Sequence, residues 1–298
     1  MGVGNGAGNG RQGSGWNGEE LDLDAYLGRL GYTGERAPTL AVLRALHRAH
    51  VTSIPFENVA AVLGLPVPLD VGSVQDKLVG SARGGYCFEH VTLFAAALER
   101  LGFRFSGVTG RVTLGADKIL PATHALVVVQ PSDDDRLWLC DVGFGAGPLG
   151  PVELADGATV ENDGWRHRLE RRPGVHGFDE WWLYQWGPDG WADRHTFTLN
   201  PQYPIDYVVG SHFVATHARS PFVKRLFAQH FAADRHQRID GLTWATTLPD
   251  GTVTQRQIAP ADLREVLGKE FGIELDEDQV AALVAAAVRN TAQDGESS

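Results

Sequence analysis

The sequence predicts an α+β fold in which an N-terminal helical bundle is followed by an antiparallel β-barrel and a mixed C-terminal unit. Before Gly102, apolar residues recur at the three- and four-residue spacing of amphipathic helices. Between residues 103 and 200, short strand-like runs alternate with clusters of Gly, Pro and Asp. Helical spacing returns after Pro201. The predicted units are a disordered glycine-rich leader at 1–20, a helical domain at 21–102, a β domain at 103–200, an α/β domain at 201–290 and a disordered tail at 291–298.

The individual elements follow from the same patterns, taken in chain order. Residues 1–18 contain eight glycines and little that can be buried, which is typical of a disordered segment. Helices are predicted at 24–31, 39–51, 74–78 and 87–101. Strands are predicted at 103–114, 125–130, 136–142, 165–170, 181–186 and 196–199. In the last domain the sequence predicts helices at 222–231, 261–271 and 276–289, and a hairpin of strands 242–248 and 253–258.

Composition narrows the class of protein. The formal net charge of −11 argues against a nucleic-acid backbone as the main partner. No apolar run reaches the roughly 18 residues that span a bilayer, and the polar N-terminus does not resemble a signal peptide, so no membrane association is expected. Two cysteines in 298 residues favour a reducing, cytoplasmic location. A homo-oligomer remains compatible with the sequence, which does not determine the oligomeric state.

One of the two cysteines occupies a position suited to nucleophilic chemistry. Cys87 lies in the run RGGYCFEH, from Arg83 to His90, directly after a glycine pair and at the start of a helical pattern. The unpaired N–H groups and the positive dipole end of a first helical turn favour a thiolate. A lone helical cysteine is more often a small core residue, so Cys87 needs a base before a catalytic role is favoured.

A histidine and an aspartate at neighbouring strand ends are candidates for that base and its orienting group. His124 precedes the apolar run 125–130, and Asp141 closes the run 137–141. If the two runs form a hairpin, a four-residue loop pairs His124 with Asp141 at about 5 Å. A five-residue loop pairs His124 with Val142 instead, and either register leaves the two side chains adjacent. The pattern predicts that Cys87 attacks, that His124 accepts its proton and that Asp141 orients the imidazole.

Two other sets of residues, a histidine pair and the second cysteine, are not expected to take part in the reaction. His47 and His50 have the i, i+3 spacing of a metal pair, but no third ligand is evident nearby, so no metal site is predicted. Cys140 neighbours Asp141, yet strand alternation directs it to the opposite face. It is therefore expected to be a core residue and not a disulfide partner.

Four short motifs resemble the arylamine N-acetyltransferases, in the order and at roughly the spacings of that family. They are IPFEN from Ile54 to Asn58, RGGYCFE from Arg83 to Glu89, Thr123-His124, and DVGFG from Asp141 to Gly145. The resemblance covers about residues 21–290. It implies a helical first domain, a β-barrel second domain, an α/β lid and a triad like that of cysteine proteases. It also implies a ping-pong reaction from acetyl-coenzyme A through a cysteine thioester to an arylamine, arylhydrazine or hydroxylamine, without a metal and with a role in xenobiotic metabolism.

The resemblance also assigns roles to individual residues. The family's catalytic triad corresponds to Cys87, His124 and Asp141, the three residues already selected by geometry. Glu57 and Asn58 are expected to brace Arg83 as structural support of the site. Substrate contacts are expected from Thr123, Phe144 and Phe222. The run ATHA at 215–218 departs from the family's usual Ser-Thr-His-Pro, which leaves contacts with coenzyme A there undetermined.

Three other functions remain open at this point. An amide synthase of the same fold would transfer a long, carrier-bound acyl chain in antibiotic biosynthesis. A protease-like or transglutaminase-like enzyme would use the same triad without coenzyme A. A binding scaffold would keep the motif while Cys87 stays inert.

Overall fold

The computed structural model of the protein describes residues 15–81, 83–174 and 177–296. The predicted leader lies outside the described residues up to position 14, but residues 15–20 are ordered, contrary to the prediction. Trp16 is buried against Phe105 and Tyr207, and residues Gly18–Glu20 form a 3₁₀ turn. A single large aromatic residue therefore anchors a segment whose composition otherwise favours disorder.

Most of the N-terminal helices pack around the helix that begins at Cys87, and the helix at residues 204–216 joins the same core through Tyr207 and Val214. The last two helices pack beside the smaller of the two sheets. Side chains cap the first two, where Asp22 accepts from the backbone N–H of Ala25 and Thr39 from that of Val42. The helices are α1 Leu23–Arg29, α2 Leu40–Ser53, α3 Val59–Val62, α4 Val71–Gln75, α5 Cys87–Arg100, α6 Pro204–Thr216, α7 Leu263–Phe271 and α8 Glu277–Glu296.

Helix α5 is the centre of the N-terminal domain. Its residues 87–98 are all buried, which is typical of a helix surrounded by protein on every side. Tyr26 from α1, Leu43 and Leu46 from α2, and Leu78 just after α4 belong to the same core. The predicted nucleophile therefore begins the most enclosed helix of this domain.

Two antiparallel sheets complete the fold. In the larger sheet the strand order is β5-β4-β3-β2-β9-β8-β7-β6, and β5 approaches β6 and β7 to give a nearly closed barrel. The smaller sheet, called the lid sheet below, has the order β1-β10-β11-β12-β13. The strands are β1 Phe56–Glu57, β2 Arg104–Val112, β3 His124–Gln130, β4 Trp138–Cys140, β5 Val152–Glu153, β6 Thr159–Asn162, β7 Trp165–Pro173, β8 Asp179–Gly187, β9 Gly190–Phe197, β10 Phe227–Phe231, β11 His236–Asp240, β12 Thr243–Thr247 and β13 Val253–Gln257.

The sheets correct several predictions. The helix predicted at 222–231 is wrong, because this segment contains strand β10, which pairs with β1 and β11. The strand predicted at 196–199 overlaps only the last two residues of a longer strand, β9. The hairpin predicted around residues 249–251 is confirmed as β12 and β13. The tail predicted from residue 291 differs as well, since α8 continues to Glu296.

Helix α6 was not predicted from the sequence. Its apolar residues are not gathered on one face, and they include two adjacent valines beside a glycine, so the segment lacks the periodicity of an amphipathic helix. The glycine is required by packing, because a Cβ on Gly210 would lie 2.6 Å from the ring of Phe88. Within the described residues, no helix combines the length and apolar character needed to cross a bilayer.

Candidate active site

Cys87 is the first residue of α5, and its sulfur lies at the point where the helical domain meets the barrel. The residue is 6% exposed, and its Sγ is 3.6 Å from the carbonyl oxygen of Thr123. The amide groups of Cys87 and Phe88 precede the first intrahelical bonds, which begin with Glu89 and His90 as donors to Tyr86. These two N–H groups have no backbone acceptor among the described residues, and they lie with the positive end of the helix dipole at the residue that carries the thiol.

The loop at residues 141–145 lies directly against the start of α5. A Cβ on Gly143 would lie 2.6 Å from the Cα of Cys87. Only glycine therefore permits this approach, which brings Asp141 and Phe144 beside the nucleophile. Close packing against Cys87, and not a turn, therefore requires the first glycine of the motif DVGFG.

His124 connects the thiol to the aspartate. Its Nε2 is 3.0 Å from Asp141 Oδ1, and a side-chain hydrogen bond links the same ring to Cys87. Because Nε2 is used by the carboxylate, Nδ1 is the atom left for the sulfur. The three residues predicted from spacing are therefore brought together in a continuous hydrogen-bonded chain.

A second histidine, which sequence reasoning missed, binds the other oxygen of the same carboxylate. His195 on β9 is completely buried, and its Nε2 is 2.9 Å from Asp141 Oδ2. A carboxylate only accepts, so His195 donates through Nε2 and its Nδ1 is unprotonated. That Nδ1 is buried without a hydrogen-bond partner among the described residues. One ligand-type atom from each of His124, Asp141 and His195 lies within 4.8 Å of the others.

The two histidines have different charge states. Burial would lower the pKa of His124, but the charge and hydrogen bond of Asp141, together with the Cys87 contact, raise it to about 10. Burial also lowers the pKa of His195, and there the pull of Asp141 does not overcome it. Burial would raise the pKa of Asp141, yet the two imidazoles hold it well below its usual range. At neutral pH the site therefore contains one imidazolium, one carboxylate and one neutral imidazole.

The register of the β3–β4 hairpin differs from both predicted alternatives. The observed pairs are Val127–Cys140, Val128–Leu139 and Val129–Trp138, which place Gln130 opposite Leu137 and make the loop longer than predicted. Asp141 is consequently a diagonal and not a direct neighbour of His124. Both still lie on one face of the hairpin, because a diagonal shift of two residues preserves the side-chain alternation.

The predicted bracing of Arg83 is correct for Glu57 and wrong for Asn58. Arg83 donates through Nε (3.0 Å) and Nη2 (2.6 Å) to Glu57 Oε1, and Glu57 Oε2 accepts from the backbone N–H of Val59 (2.7 Å). Asn58 instead holds the C-terminal domain: its amide donates to the carbonyls of Phe222 and Arg225. A carboxylate braces the partly buried arginine because it neutralises the charge, whereas an amide suits backbone groups.

The predicted substrate-contact residues surround the triad. The ring of Phe144 packs edge-on against His124 at a centroid distance of 5.1 Å. Phe222 packs against Phe56 and Tyr86, each at 6.0 Å, and so lies near the residue that precedes Cys87. Thr123 contributes its carbonyl to the thiol contact already described.

His50, the second residue of the His47 and His50 spacing, belongs to a different arrangement. The hydroxyl of Tyr26 donates to His50 Nδ1 (2.9 Å), His50 Nε2 donates to His90 Nδ1 (2.9 Å), and His90 Nε2 donates to the carbonyl of Pro55 (3.2 Å). The final carbonyl can only accept, which fixes the direction of the whole chain. His50 is thus committed to a buried polar chain that ties three helices together.

Comparison with known proteins shows which family this chain resembles. A family model described as N-acetyltransferase matches residues 39–280. The arylamine N-acetyltransferase of Mycolicibacterium smegmatis is 36% identical over 260 residues, covering 86% of this chain and 93% of that protein. The crystal structure of Nocardia farcinica arylamine N-acetyltransferase superposes with a TM-score of 0.88 at 58% identity, covering 90% of this chain and 95% of that one.

A third similar protein was solved with a ligand. The structure of Mycobacterium marinum arylamine N-acetyltransferase in complex with CoA has a TM-score of 0.83 at 33% identity, covering 90% of this chain and 99% of that one. The matched proteins are N-acetyltransferases, so the class of protein is that of the acyltransferase enzymes. The chain belongs to the arylamine N-acetyltransferase family, as the sequence motifs predict.

Proposed function

We propose that Cys87, His124 and Asp141 transfer an acetyl group from acetyl-coenzyme A to the nitrogen of an arylamine, arylhydrazine or hydroxylamine. The observation that carries the proposal is the hydrogen-bonded chain from Asp141 through His124 to a thiol at the first turn of α5. An imidazolium held beside a sulfur at a helix N-terminus is the arrangement that stabilises a thiolate. No metal takes part in this scheme.

The first half-reaction loads the enzyme. The Cys87 thiolate attacks the acetyl carbonyl of the donor, and a C–S bond forms as the carbonyl oxygen becomes an oxyanion. The unpaired N–H groups of Cys87 and Phe88 are the donors available to that oxyanion. The bond to coenzyme A then breaks, and His124 gives its Nδ1 proton to the departing thiolate. Free coenzyme A leaves, and an acetyl thioester remains on Cys87.

The second half-reaction discharges the enzyme. The neutral amine attacks the thioester carbonyl, and His124, now neutral, takes a proton from the attacking nitrogen. The Cys87 thiolate leaves, which restores the thiolate–imidazolium pair together with the acetylated product. An aromatic amine is weakly basic and unprotonated at neutral pH, so it needs no general base before attack.

Two groups of residues support this chemistry without reacting. The ion pair between Arg83 and Glu57 fixes the loop that precedes α5, because Glu57 is fully buried and Arg83 neutralises it. Phe144 and Phe222 supply apolar surface for an aromatic acceptor on either side of the site. Coenzyme A and the amine are thus the expected partners, and a cytoplasmic location remains a prediction from the sequence.

Intact-mass measurement tests the proposal. Incubation with acetyl-coenzyme A alone should add one acetyl group to the wild-type protein and none to Cys87→Ala, and an aromatic amine should then remove it. Cys140→Ala is the matched control and should acetylate normally. Loading from a long acyl thioester but not from acetyl-coenzyme A would favour the amide synthase. An inert Cys87 would favour a binding scaffold.

A further inference from the structure

An irregularity of strand β9 changes the direction of one side chain beside the triad. In the pairing of β8 with β9, Leu183 lies opposite His195 and Tyr184 lies opposite Asp193. Arg194 is therefore the extra residue of a β-bulge. Consecutive residues of a regular strand point to opposite faces, and a bulge is the device that re-aims one of them, often next to active sites. Here the bulge lets both Arg194 and His195 approach the site.

Arg194 lies over the aromatic residue that lines the triad. Its guanidinium carbon is 5.1 Å from the centroid of the Phe144 ring, and Phe144 in turn contacts His124 at 5.1 Å. These two distances place the guanidinium at most about 10 Å from the imidazole of His124. One substituted benzene ring, with its contacts at both ends, can bridge that distance. Arg194 therefore contacts the same ring that the proposed function assigns to contact with an aromatic acceptor.

The charge of Arg194 is not neutralised by an ion pair within the described part of the chain. Its Nε is buried without a hydrogen-bond partner, and no carboxylate forms an ion pair with the guanidinium, among the described residues. Asp141 is occupied by two histidines, and Asp193 accepts from the backbone of Gly115. Arg83, by contrast, is matched by Glu57. Burial, and after it the charge of Arg238, lowers the pKa of Arg194 to about 10, so the group is still cationic at neutral pH.

Arg238 supplies a second cation from the lid sheet. It lies directly opposite Gln229 in the β10–β11 pair, so both side chains are on one face of the sheet. Gln229 donates to the carbonyl of Phe144 at 3.5 Å, which shows that this face is turned toward the Phe144 loop. Two arginines from different sheets thus converge near Phe144 in a protein of net charge −11.

We propose that Arg194, with Arg238, forms a subsite for a carboxylate carried by the substrate. The proposal rests on the function proposed above and deepens it, because it names acidic substrates as a favoured class. A carboxylate there would form charge-assisted hydrogen bonds with a guanidinium that is already partly desolvated and in position. The carboxylate can belong to the aromatic acceptor or to the transferred acyl group, and the two sources are separable by experiment.

The acceptor arm compares 4-aminobenzoate with its neutral analogue 4-aminobenzamide, with acetyl-coenzyme A as donor. In the wild type kcat/KM should favour the acid, and in Arg194→Gln this preference should fall roughly tenfold or more. The rate with the amide should change less than about threefold. Arg194→Lys should restore part of the preference, and Arg238→Gln should reduce it by a smaller factor. Added salt should lower the preference in the wild type only.

The donor arm compares succinyl-coenzyme A with butyryl-coenzyme A, with unsubstituted aniline as acceptor. A preference for the succinyl donor that Arg194→Gln abolishes would place the carboxylate on the acyl group instead. Arg256→Gln is the matched control, because Arg256 pairs with Trp244 and stacks on it at 4.4 Å on the opposite face of the lid sheet. Its preferences should equal those of the wild type.

Equal losses for acidic and neutral substrates in both arms would overturn the subsite. Formation of the acetyl-enzyme is measured by mass in every variant, which separates this failure from a failure of the proposed function. If the wild type loads normally and Arg194→Gln keeps all its preferences, only the subsite is wrong. If the wild type does not load, the acetyl-transfer mechanism itself is wrong.

Discussion

At the scale of single residues, the unusual feature of the site is one carboxylate shared by two histidines. His124 is the histidine that is hydrogen-bonded to Cys87, so it is the one placed to exchange protons during the reaction, whereas His195 holds the second oxygen of Asp141. A neutral donor at that oxygen fixes the plane of the carboxylate without competing for the positive charge. His195 is thus a positioning residue, which acts on the reaction through Asp141.

Replacing His195 tests this role. His195→Leu should lower kcat between ten- and a hundredfold, because Asp141 can then rotate and the imidazole it orients loses alignment with the thiol. His195→Gln, which keeps an N–H donor near the same place, should recover most of the loss. Steady-state kinetics with one amine measures both. Equal defects in the two variants, at equal thermal stability, would show that His195 only fills space.

At the scale of elements, Asn58 fastens the C-terminal domain to the junction of β1 and α3. Its amide donates to two carbonyls at 2.9 Å each, and its oxygen accepts from the backbone N–H of Phe227 at 2.7 Å. These three bonds span the turn that leads into β10. That turn carries Phe222, so the position of an aromatic wall of the site depends on one buried amide.

Asn58→Ala should therefore affect both stability and substrate binding. Leaving these backbone groups without partners should lower the free energy of unfolding by about 1–3 kcal/mol. Because Phe222 is released while the triad is untouched, KM for the amine should rise more than kcat falls. Urea denaturation and kinetics measure the two effects. Asn200→Ala, at an exposed loop position, is the control, and an identical result for both variants would contradict the fastening role.

The elements also show where prediction from sequence succeeds. Periodicity located α2, α5 and α7, because each has an apolar face of ordinary spacing. It failed for residues 222–231, where apolar spacing fits a helix but pairing with β1, distant in the chain, imposes a strand. Periodicity missed α6 because the apolar residues of this helix are not gathered on one face, so the spacing of an amphipathic helix is absent. The hairpin of β3 and β4 was located, but its register depended on a loop length that the sequence does not state.

At the scale of the whole molecule, buried histidines make stability depend on pH. Burial lowers the pKa of His47 and His90 to about 4 and that of His167 and His236 to about 3. Each binds a proton more readily in the unfolded chain, so its contribution is complete above the unfolded pKa near 6.5 and is lost as pH falls toward the folded value. His124 has the opposite sign, since its contribution is complete below about 6.5 and is lost as pH rises to about 10.

The free energy of unfolding should therefore be greatest near neutral pH and decrease on both sides. Between pH 6.5 and 4 each buried neutral histidine removes up to about 1.4 kcal/mol per pH unit. Urea denaturation at a series of pH values measures this dependence. His236→Gln should flatten the acid side, whereas His124→Gln should flatten the alkaline side. A stability that stays constant from pH 7 to pH 5 would contradict the assignment of neutral buried imidazoles.

The pairing of distant strands also explains which site residues could be predicted from the sequence and which could not. Cys87, His124 and Asp141 lie in motifs at element ends, and a local argument could bring them together. His195 and Arg194 reach the site only because β9 pairs with β2, which is distant in the chain, and carries a bulge. Neither long-range pairing nor a bulge leaves a local signal in the sequence, so both residues were found only from the structure.

The most direct test of the central claim is the pH dependence of alkylation of Cys87 by iodoacetamide, followed by peptide mass mapping. The claim is that His124, held by Asp141, keeps this sulfur as a thiolate. In the wild type, alkylation should remain fast at pH 6 and slow sharply in Asp141→Asn. Cys140 is an internal control, because it is fully buried and burial raises the pKa of its thiol. A Cys87 that reacts at pH 6 no faster in the wild type than in Asp141→Asn would contradict the account.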